Sequence, residues 1–171
     1  IPTYRLFCDY FKDKNLDNLV IVAPDEGGGK TIKKLADPMG AEMAIINKSR
    51  PSHNEAVALG VVGDVKGKNC VIFDDMIDTA GSVIAARNAL LEAGANPDIY
   101  LAASHAVFSG PAIERLTKAQ FREVVVTDSL PLTKEKHFPG LKVISVAPFL
   151  SKVVQSVHED RSVTEIWQKC A

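Results

Sequence analysis

The chain has 171 residues, with 20 Lys or Arg against 21 Asp or Glu, so its formal net charge is −1. These charges are interspersed, which gives no electrostatic support for a nucleic-acid surface, and no apolar run approaches the ~20 residues of a membrane span. The three cysteines show no CxxC spacing and indicate neither a zinc site nor a disulfide framework, so we expect a cytoplasmic protein. From its charge and hydropathy we expect that it binds neither nucleic acid nor membrane.

Apolar runs of strand length alternate with helical patterns along the chain. In chain order we predict helix Tyr4–Lys12, strand Leu19–Ala23, helix Lys30–Leu35, strand Ala41–Ile46, strand Cys70–Phe73, helix Ser82–Ala93, strand Ile99–Ala103, helix Pro111–Lys118, strand Val124–Thr127, strand Val143–Val146 and helix Phe149–Val157. Most of these strands are apolar throughout, which is typical of strands buried on both faces of a parallel sheet. In the third helix, Val83, Ala86 and Leu90 share one stripe, and Gly94 follows as a C-cap. The pattern predicts an open, mostly parallel α/β sheet flanked by helices.

The segment from Lys48 to Lys68 interrupts this alternation. It contains three glycines and no sustained helical period. Connections of this length are usually functional or mobile, so we predict a long mobile loop after the second strand. The loop would carry two cations, Lys48 and Arg50, and by sequence alone a solvated basic turn is the favoured interpretation of both.

The strongest chemical signal is the stretch from Val71 to Ser82, in which a buried strand leads through acids into a small-residue turn that opens a helix. Free main-chain N–H groups at a helix start bind anions, and Gly81 would let the main chain approach one closely. Asp74 and Asp75 lie at the carboxyl end of the strand, where open α/β sheets bind ligands. Carboxylates repel phosphate but suit sugar hydroxyls or a metal ion. The stretch therefore predicts a site for a phosphorylated pentose.

Helix capping is a plainer interpretation of the same stretch. Asp78 or Ser82 would then cap the helix, and the acids before them would be solvated residues at the strand end. One Asp is enough for a cap, whereas the chain has three acids and then Thr79, Ala80 and Gly81. This surplus favours anion binding.

The stretch from Asp74 to Ser82 resembles the phosphoribosyl-diphosphate binding signature of phosphoribosyltransferases and of ribose-phosphate diphosphokinases, also called PRPP synthetases. The segments that favour the synthetase family are Ala23 to Lys30, similar to its Pro-Asp-x-Gly-Gly segment, Ile46 to Pro51, similar to its Lys-x-Arg-Pro segment, and Gly60 to Val65, Ser104 to Pro111 and Thr127 to Pro131. The similarity runs from Ile1 nearly to the end of the chain. Ser82 stands where the family usually has Thr, and a hydroxyl survives that exchange.

The resemblance implies a type I phosphoribosyltransferase-like fold in a single domain, residues 1–171, that corresponds to the C-terminal half of a two-domain enzyme. We interpret the start at Ile1 as a fragment boundary. Enzymes of the family transfer the diphosphoryl group of ATP to the 1-hydroxyl of ribose 5-phosphate, which gives PRPP and AMP for nucleotide biosynthesis. The resemblance thus implies ATP and ribose 5-phosphate as partners, Mg²⁺ as cofactor and a homo-oligomer, since the full-length family commonly forms hexamers. We expect the chain to bind ribose 5-phosphate without full activity.

The resemblance also assigns the site residues. Lys48 and Arg50 are assigned to catalysis and Asp25 to magnesium. The ribose 5-phosphate site is assigned to Asp74, Asp75, Asp78, Thr79, Ala80, Gly81 and Ser82. Without the resemblance, Asp25 fits a turn residue equally well, because Pro-Asp followed by Gly favours a turn.

Two other functions stay open at this point. A phosphoribosyltransferase would use the same pentose site but attack C1 with a base or amine. Such enzymes usually have a hood segment for the base, and no segment here plainly serves as one. A non-catalytic regulatory relative of the synthetase would keep the fold and assemble with active subunits, but it would have no physical need of all the site residues.

The histidines carry less information. His105 follows a predicted strand, where it would either reach a ligand or pack with a bond to the main chain. His53 in the predicted loop is a weak candidate to join Asp25 at a metal, because Mg²⁺ prefers oxygen donors. His137 and His158 are predicted to lie at the surface.

Overall fold

The computed structural model describes residues 3–49, 58–164 and 166, which form one open sheet between two layers of helices. The strands are β1 (Leu19–Ala23), β2 (Glu42–Ser49), β3 (Ala58–Val62), β4 (Asn69–Ile77), β5 (Tyr100–Ala106), β6 (Glu123–Thr127) and β7 (Leu141–Ile144). Their order across the sheet is β3-β2-β1-β4-β5-β6-β7, and all neighbours are parallel except β2 and β3. The strand order reverses between β1 and β4, and open α/β sheets bind ligands at the carboxyl edge of such a reversal.

The helices cover both faces of this sheet. They are α1 (Tyr4–Lys12), α2 (Gly29–Met39), α3 (Gly81–Glu92), α4 (Ala112–Ala119) and α5 (Ala147–His158), with 3₁₀ turns at Glu26–Gly28 and Lys134–Lys136. Helices α1 and α2 bury Phe11 and Ile32 on one face, whereas α3 and α4 bury Val83 and Leu116 on the other. No helix in the described part of the chain has the length and apolar character needed to cross a bilayer.

The continuous apolar runs are buried because the central strands supply both cores. In β1, Val20 and Val22 belong to the core under α3 and α4, while Ile21 between them belongs to the core under α1 and α2. Side chains of a strand alternate between faces, so only a strand without polar positions satisfies both layers. Each fully buried side chain of this size contributes roughly 1.5–3 kcal/mol.

The predicted architecture is confirmed, and α1 and β1 have the predicted bounds. Helix α3 lies within one residue of its predicted ends at Ser82 and Ala93. Gly94, with a φ of 82°, closes this helix as predicted, and its N–H donates to the carbonyl oxygen of Leu91.

The prediction of a long loop from Lys48 to Lys68 is wrong in part. Lys48 belongs to β2, and Ala58–Val62 forms β3, which pairs antiparallel with β2 from Ile45 opposite Val62 to Ser49 opposite Ala58. Strand β3 is apolar throughout, but it escaped the sequence analysis because it is short, contains a glycine and lies within a segment that lacks a helical period and was assigned to a loop. Residues 50–57 of the predicted loop lie outside the described residues.

Candidate functional site

Strand β4 places two carboxylates at the carboxyl edge of the sheet. The strand continues past its predicted end at Phe73 to Ile77, and Asp74 still pairs with Ala103 of β5. Asp74 is half-buried and Asp75 is exposed. The strand was predicted too short because acids are atypical of a buried strand, yet here they lie in its last part beside the reversal between β1 and β4.

The turn from β4 to α3 consists of residues 78–82 and is called the anion turn below. The N-cap residue of α3 is Ala80, whose side chain makes no capping bond, so neither Asp78 nor Ser82 caps the helix. Ala80 is buried and has a φ of 63°, a left-handed conformation that costs a non-glycine residue on the order of 1–2 kcal/mol. Such conformations cluster at binding sites. The capping interpretation is therefore wrong, and the turn has a shape that a cap alone would not require.

The anion turn has free main-chain donors. None of its N–H groups donates a hydrogen bond within the described residues, and a cavity of about 190 Å³ lies against the whole turn. The positive end of the α3 dipole and these amides together favour a negatively charged ligand. Gly81 leaves room for it, because a Cβ built there would meet no atom closer than Nη1 of Arg115 at 3.7 Å. The arrangement is suited to one phosphate group.

A second cavity adjoins the first on the side of β1. Its volume is about 220 Å³, and its lining includes Asp25, Gly28, Asp74 and Asp75. Oδ1 of Asp25 accepts a 3.2 Å hydrogen bond from the N–H of Gly28, which orders the 3₁₀ turn ahead of α2. The first cavity is also lined by Asp74 and Asp75, so these two acids separate the Asp25 end from the anion turn.

The acidic middle of the site is electrostatically strained. Burial, followed by the neighbouring carboxylates of Asp75 and Asp25, raises the pKa of Asp74 to about 6. Among the described residues that line the two cavities, none is Lys or Arg. Hydroxyl donors or a cation would therefore stabilise the acids, whereas an anion would stabilise the amides of the anion turn.

The two predicted catalytic cations are placed only in part. Strand β1 ends beside Ile45 of β2. Lys48 is farther along β2, where its main chain pairs with Leu59, so it lies past the carboxyl end of β1. Arg50 lies outside the described residues. Their roles remain predictions.

His105 lies in the last part of β5, exposed, and its Nδ1 is 2.9 Å from Oγ of Ser129. The alternative of a packed histidine bonded to the main chain is therefore wrong, and contact of His105 with a ligand stays a prediction. His137 and His158 are exposed, as predicted. His53 lies outside the described residues.

Sequence reasoning missed two residues that contact the anion turn. Ser109 donates from its hydroxyl to the Asp78 carboxylate, and Arg115 of α4 donates through Nη1 to the carbonyl oxygen of Thr79 at 3.0 Å. Ser109 lies in one of the segments that carry the family resemblance. Arg115 has no such signal, because its contact depends on how α4 packs beside α3.

Comparisons with known proteins agree with this geometry. A family model described as "Phosphoribosyl synthetase-associated domain" matches residues 43–168. The chain is 44% identical over 159 residues to a ribose-phosphate pyrophosphokinase of Bacillus subtilis (strain 168), covering 93% of the chain and 50% of that relative. It is 44% identical over 163 residues to the enzyme of the same name from Caldanaerobacter subterraneus subsp. tengcongensis, of which it covers 51%. The chain thus spans about half the length of the curated relatives it matches.

Solved structures show the same relationship. Phosphoribosylpyrophosphate synthetase from Mycobacterium smegmatis superposes with a TM-score of 0.83 at 42% identity, covering 92% of this chain and 51% of that one. APRTase from Giardia lamblia, complexed with 9-deazaadenine, superposes with a TM-score of 0.58 at 16% identity, covering 72% of this chain and 75% of that one. The second likeness concerns the fold alone, and it confirms the predicted phosphoribosyltransferase-like architecture.

Proposed function

Because the chain belongs to the phosphoribosylpyrophosphate synthetase family, we propose that it provides the ribose 5-phosphate site of a ribose-phosphate diphosphokinase. In this reaction the 1-hydroxyl of ribose 5-phosphate loses its proton to water as its oxygen bonds to the β-phosphorus of ATP, the bond from that phosphorus to the oxygen shared with the α-phosphorus breaks, and AMP leaves with that oxygen. The products are PRPP and AMP. The name of the relatives, ribose-phosphate pyrophosphokinase, supports this activity.

One observation carries the proposal: two adjoining cavities share Asp74 and Asp75 and differ at their outer ends. The anion turn at one end offers amides to the 5-phosphate. The carboxylates in the middle accept hydrogen bonds from ribose hydroxyls, which a phosphate group in the same place would not donate. A pentose held at both points has one orientation, so its 1-hydroxyl is presented at a fixed position, which is the main task in phosphoryl transfer.

The Asp25 end fits Mg²⁺. No group of three His, Cys, Asp or Glu side chains converges on a metal site within the described residues. Mg²⁺ usually takes only one or two protein carboxylates and fills its remaining positions with waters and substrate phosphates, so the exposed carboxylate of Asp25 beside an open cavity suits it. Bound there, the ion would neutralise phosphate charge, and Asp25 would hold it.

Lys48 and Arg50 complete the proposal. A transferring diphosphoryl group carries negative charge that the acids of the site cannot neutralise. Lys48 would provide a point charge and Arg50 a planar fork of donors, both suited to phosphate oxygens. ATP as the second substrate and assembly of the chain into homo-oligomers belong to the same proposal, and the family relationship supports both.

Calorimetric titration of the chain with ribose 5-phosphate, with and without Mg²⁺, tests the proposed function. We expect ribose 5-phosphate to bind and unphosphorylated ribose to bind far more weakly, because ribose cannot occupy the anion turn. Equal heats for both sugars, or none for either, would contradict the proposal.

A further inference from the structure

Three consecutive main-chain carbonyl groups, those of Ile77, Asp78 and Thr79, accept hydrogen bonds from the segment that runs from the end of β5 through α4. The pairs are Phe108 N–H with Ile77 O at 3.0 Å, Ser109 N–H with Asp78 O at 3.0 Å, and Arg115 Nη1 with Thr79 O at 3.0 Å. These three bonds all come from one supersecondary unit. They fix three successive peptide planes by their oxygen atoms.

Fixing the oxygens also fixes the donors. A trans peptide unit is planar, so its C=O and N–H groups point in opposite directions. The N–H groups on these three planes belong to Asp78, Thr79 and Ala80, and they therefore point away from the segment that holds the oxygens. A hydrogen bond accepted by a peptide oxygen also polarises its N–H and makes it a better donor.

Arg115 differs from the other two partners because its donor is charged. Bonds with an ionised donor are roughly twice as strong as neutral ones. Its Nη1 also lies 3.7 Å from the position that a Cβ of Gly81 would take, so a permanent positive charge lies beside the turn. The same guanidinium bonds the peptide that joins Thr79 to Ala80, the residue with the left-handed backbone.

We infer that Arg115 is a positioning residue for a phosphate group bound by the anion turn, and this inference rests on the proposed function. Arg115 orients and polarises the Thr79–Ala80 peptide so that the Ala80 N–H faces the phosphate. Ser109 supports the same arrangement, because its hydroxyl bonds the Asp78 carboxylate and holds that negative group on the side of the β5–α4 segment.

The test compares Arg115→Met with Lys118→Met. Lys118 lies on the same helix and is exposed, and its ammonium pairs with Glu114 rather than with the anion turn. In calorimetric titrations, we expect Arg115→Met to weaken the binding of ribose 5-phosphate and of inorganic phosphate by about tenfold each, because one charge-assisted hydrogen bond is lost. Lys118→Met is expected to bind like the parent. Arg115→Gln, which keeps a donor without the charge, is expected to show a similar loss and provides a second variant if Arg115→Met does not fold.

Amide NMR separates positioning from general damage to the fold. On addition of inorganic phosphate, the Ala80 amide proton of the parent chain should shift downfield. In the Arg115 variants this shift should shrink, while that of Asp78, whose peptide is held by Phe108, should remain. Parent-like affinity in the Arg115 variants, or weaker binding with an unchanged Ala80 shift, would overturn the inference. If the parent chain itself binds neither ligand, the proposed function fails together with the inference.

Discussion

The main-chain N–H of Asp75 donates a 2.8 Å hydrogen bond to Oδ1 of Asp74, which fixes the Asp74 carboxylate beside its neighbour at the edge of the sheet. No Lys or Arg among the described lining residues offsets the two charges. The free chain thus holds acids in a position that lowers its own stability. Sites that must bind hydroxyls or a cation commonly show this compromise between stability and function.

Replacement of Asp74 should reveal that compromise. We expect Asp74→Asn to raise the free energy of unfolding at pH 7 by on the order of 1 kcal/mol, a value reduced for solvent screening because the group is only partly buried. The same variant should lose affinity for ribose 5-phosphate. Urea denaturation measures the first effect and calorimetry the second. Asp98 is an exposed acid that precedes β5 at the opposite edge of the sheet. Asp98→Asn is therefore the control and should change neither the free energy of unfolding nor the affinity for ribose 5-phosphate.

The pH dependence of stability follows from the same group. Since the folded chain raises the pKa of Asp74 to about 6 from its ordinary 3.8, the folded state keeps this proton where the unfolded state has lost it. The stabilisation from this proton is complete below about pH 4 and disappears as the pH rises through about 6. Asp74→Asn should remove this slope from a series of denaturation curves between pH 4 and pH 7. An unchanged slope would mean that Asp74 titrates normally.

The central strands and the anion turn could be predicted from the sequence because their signals are local. A continuous apolar run specifies a strand such as β1, and the small residues Thr79 to Ser82 after a strand specify a tight turn into a helix. Features that depend on distant partners could not be predicted. The contact of Arg115 with Thr79 exists only because α4 packs beside α3, and the left-handed backbone of Ala80 is not a preference of alanine.

The edge of the sheet was predicted least well, also for a physical reason. Strand β3 is apolar but short and interrupted by Gly60, and it pairs with β2 alone among the described strands, so its local signal does not separate it from the surrounding segment. The acids in β4 caused the prediction to end that strand too early. They are part of a strand because β5 supplies their main-chain partners, whatever their side chains prefer.

A partly buried ion pair should contribute to stability far from the site. Nζ of Lys14 lies 2.8 Å from Glu123, and the hydroxyl of Tyr10 donates to the same carboxylate at 2.8 Å. Burial alone would raise the pKa of Glu123, but the bonds from Lys14 and Tyr10 outweigh it and lower the pKa below its ordinary value. The contribution of this ion pair to the free energy of unfolding is present at pH values above the ordinary pKa of Glu123, and it is lost as the pH falls through the lowered pKa.

We therefore expect Lys14→Met to lower the free energy of unfolding at pH 7 by about 1–2 kcal/mol and to weaken the acid dependence of stability. The matched control is Lys33→Met. Its pair with Asp37 has a similar distance of 2.9 Å, but both side chains are more than half exposed, so the change should cost less than about 0.5 kcal/mol. Equal effects of the two substitutions in urea denaturation would show that the burial of the first pair has no consequence.

Turnover by the chain alone is expected to be low. The chain spans about half of its relatives' length, and the family resemblance predicts that it binds ribose 5-phosphate without full activity. With ATP, Mg²⁺ and ribose 5-phosphate, we expect the chain to form little AMP even where calorimetry shows that ribose 5-phosphate is bound. Robust AMP formation would mean that these 171 residues contain the complete catalytic machinery.

Titration of Gly81→Val with ribose 5-phosphate tests the anion turn most directly. A Cβ at Gly81 meets no protein atom closer than 3.7 Å, so we expect the variant to fold while its branched side chain fills the phosphate position. Asn88→Val places the same side chain at an exposed position of α3 and serves as the control. The account predicts that Gly81→Val binds no ribose 5-phosphate while Asn88→Val binds it like the parent, and a Gly81→Val chain that binds as tightly as the parent would contradict it.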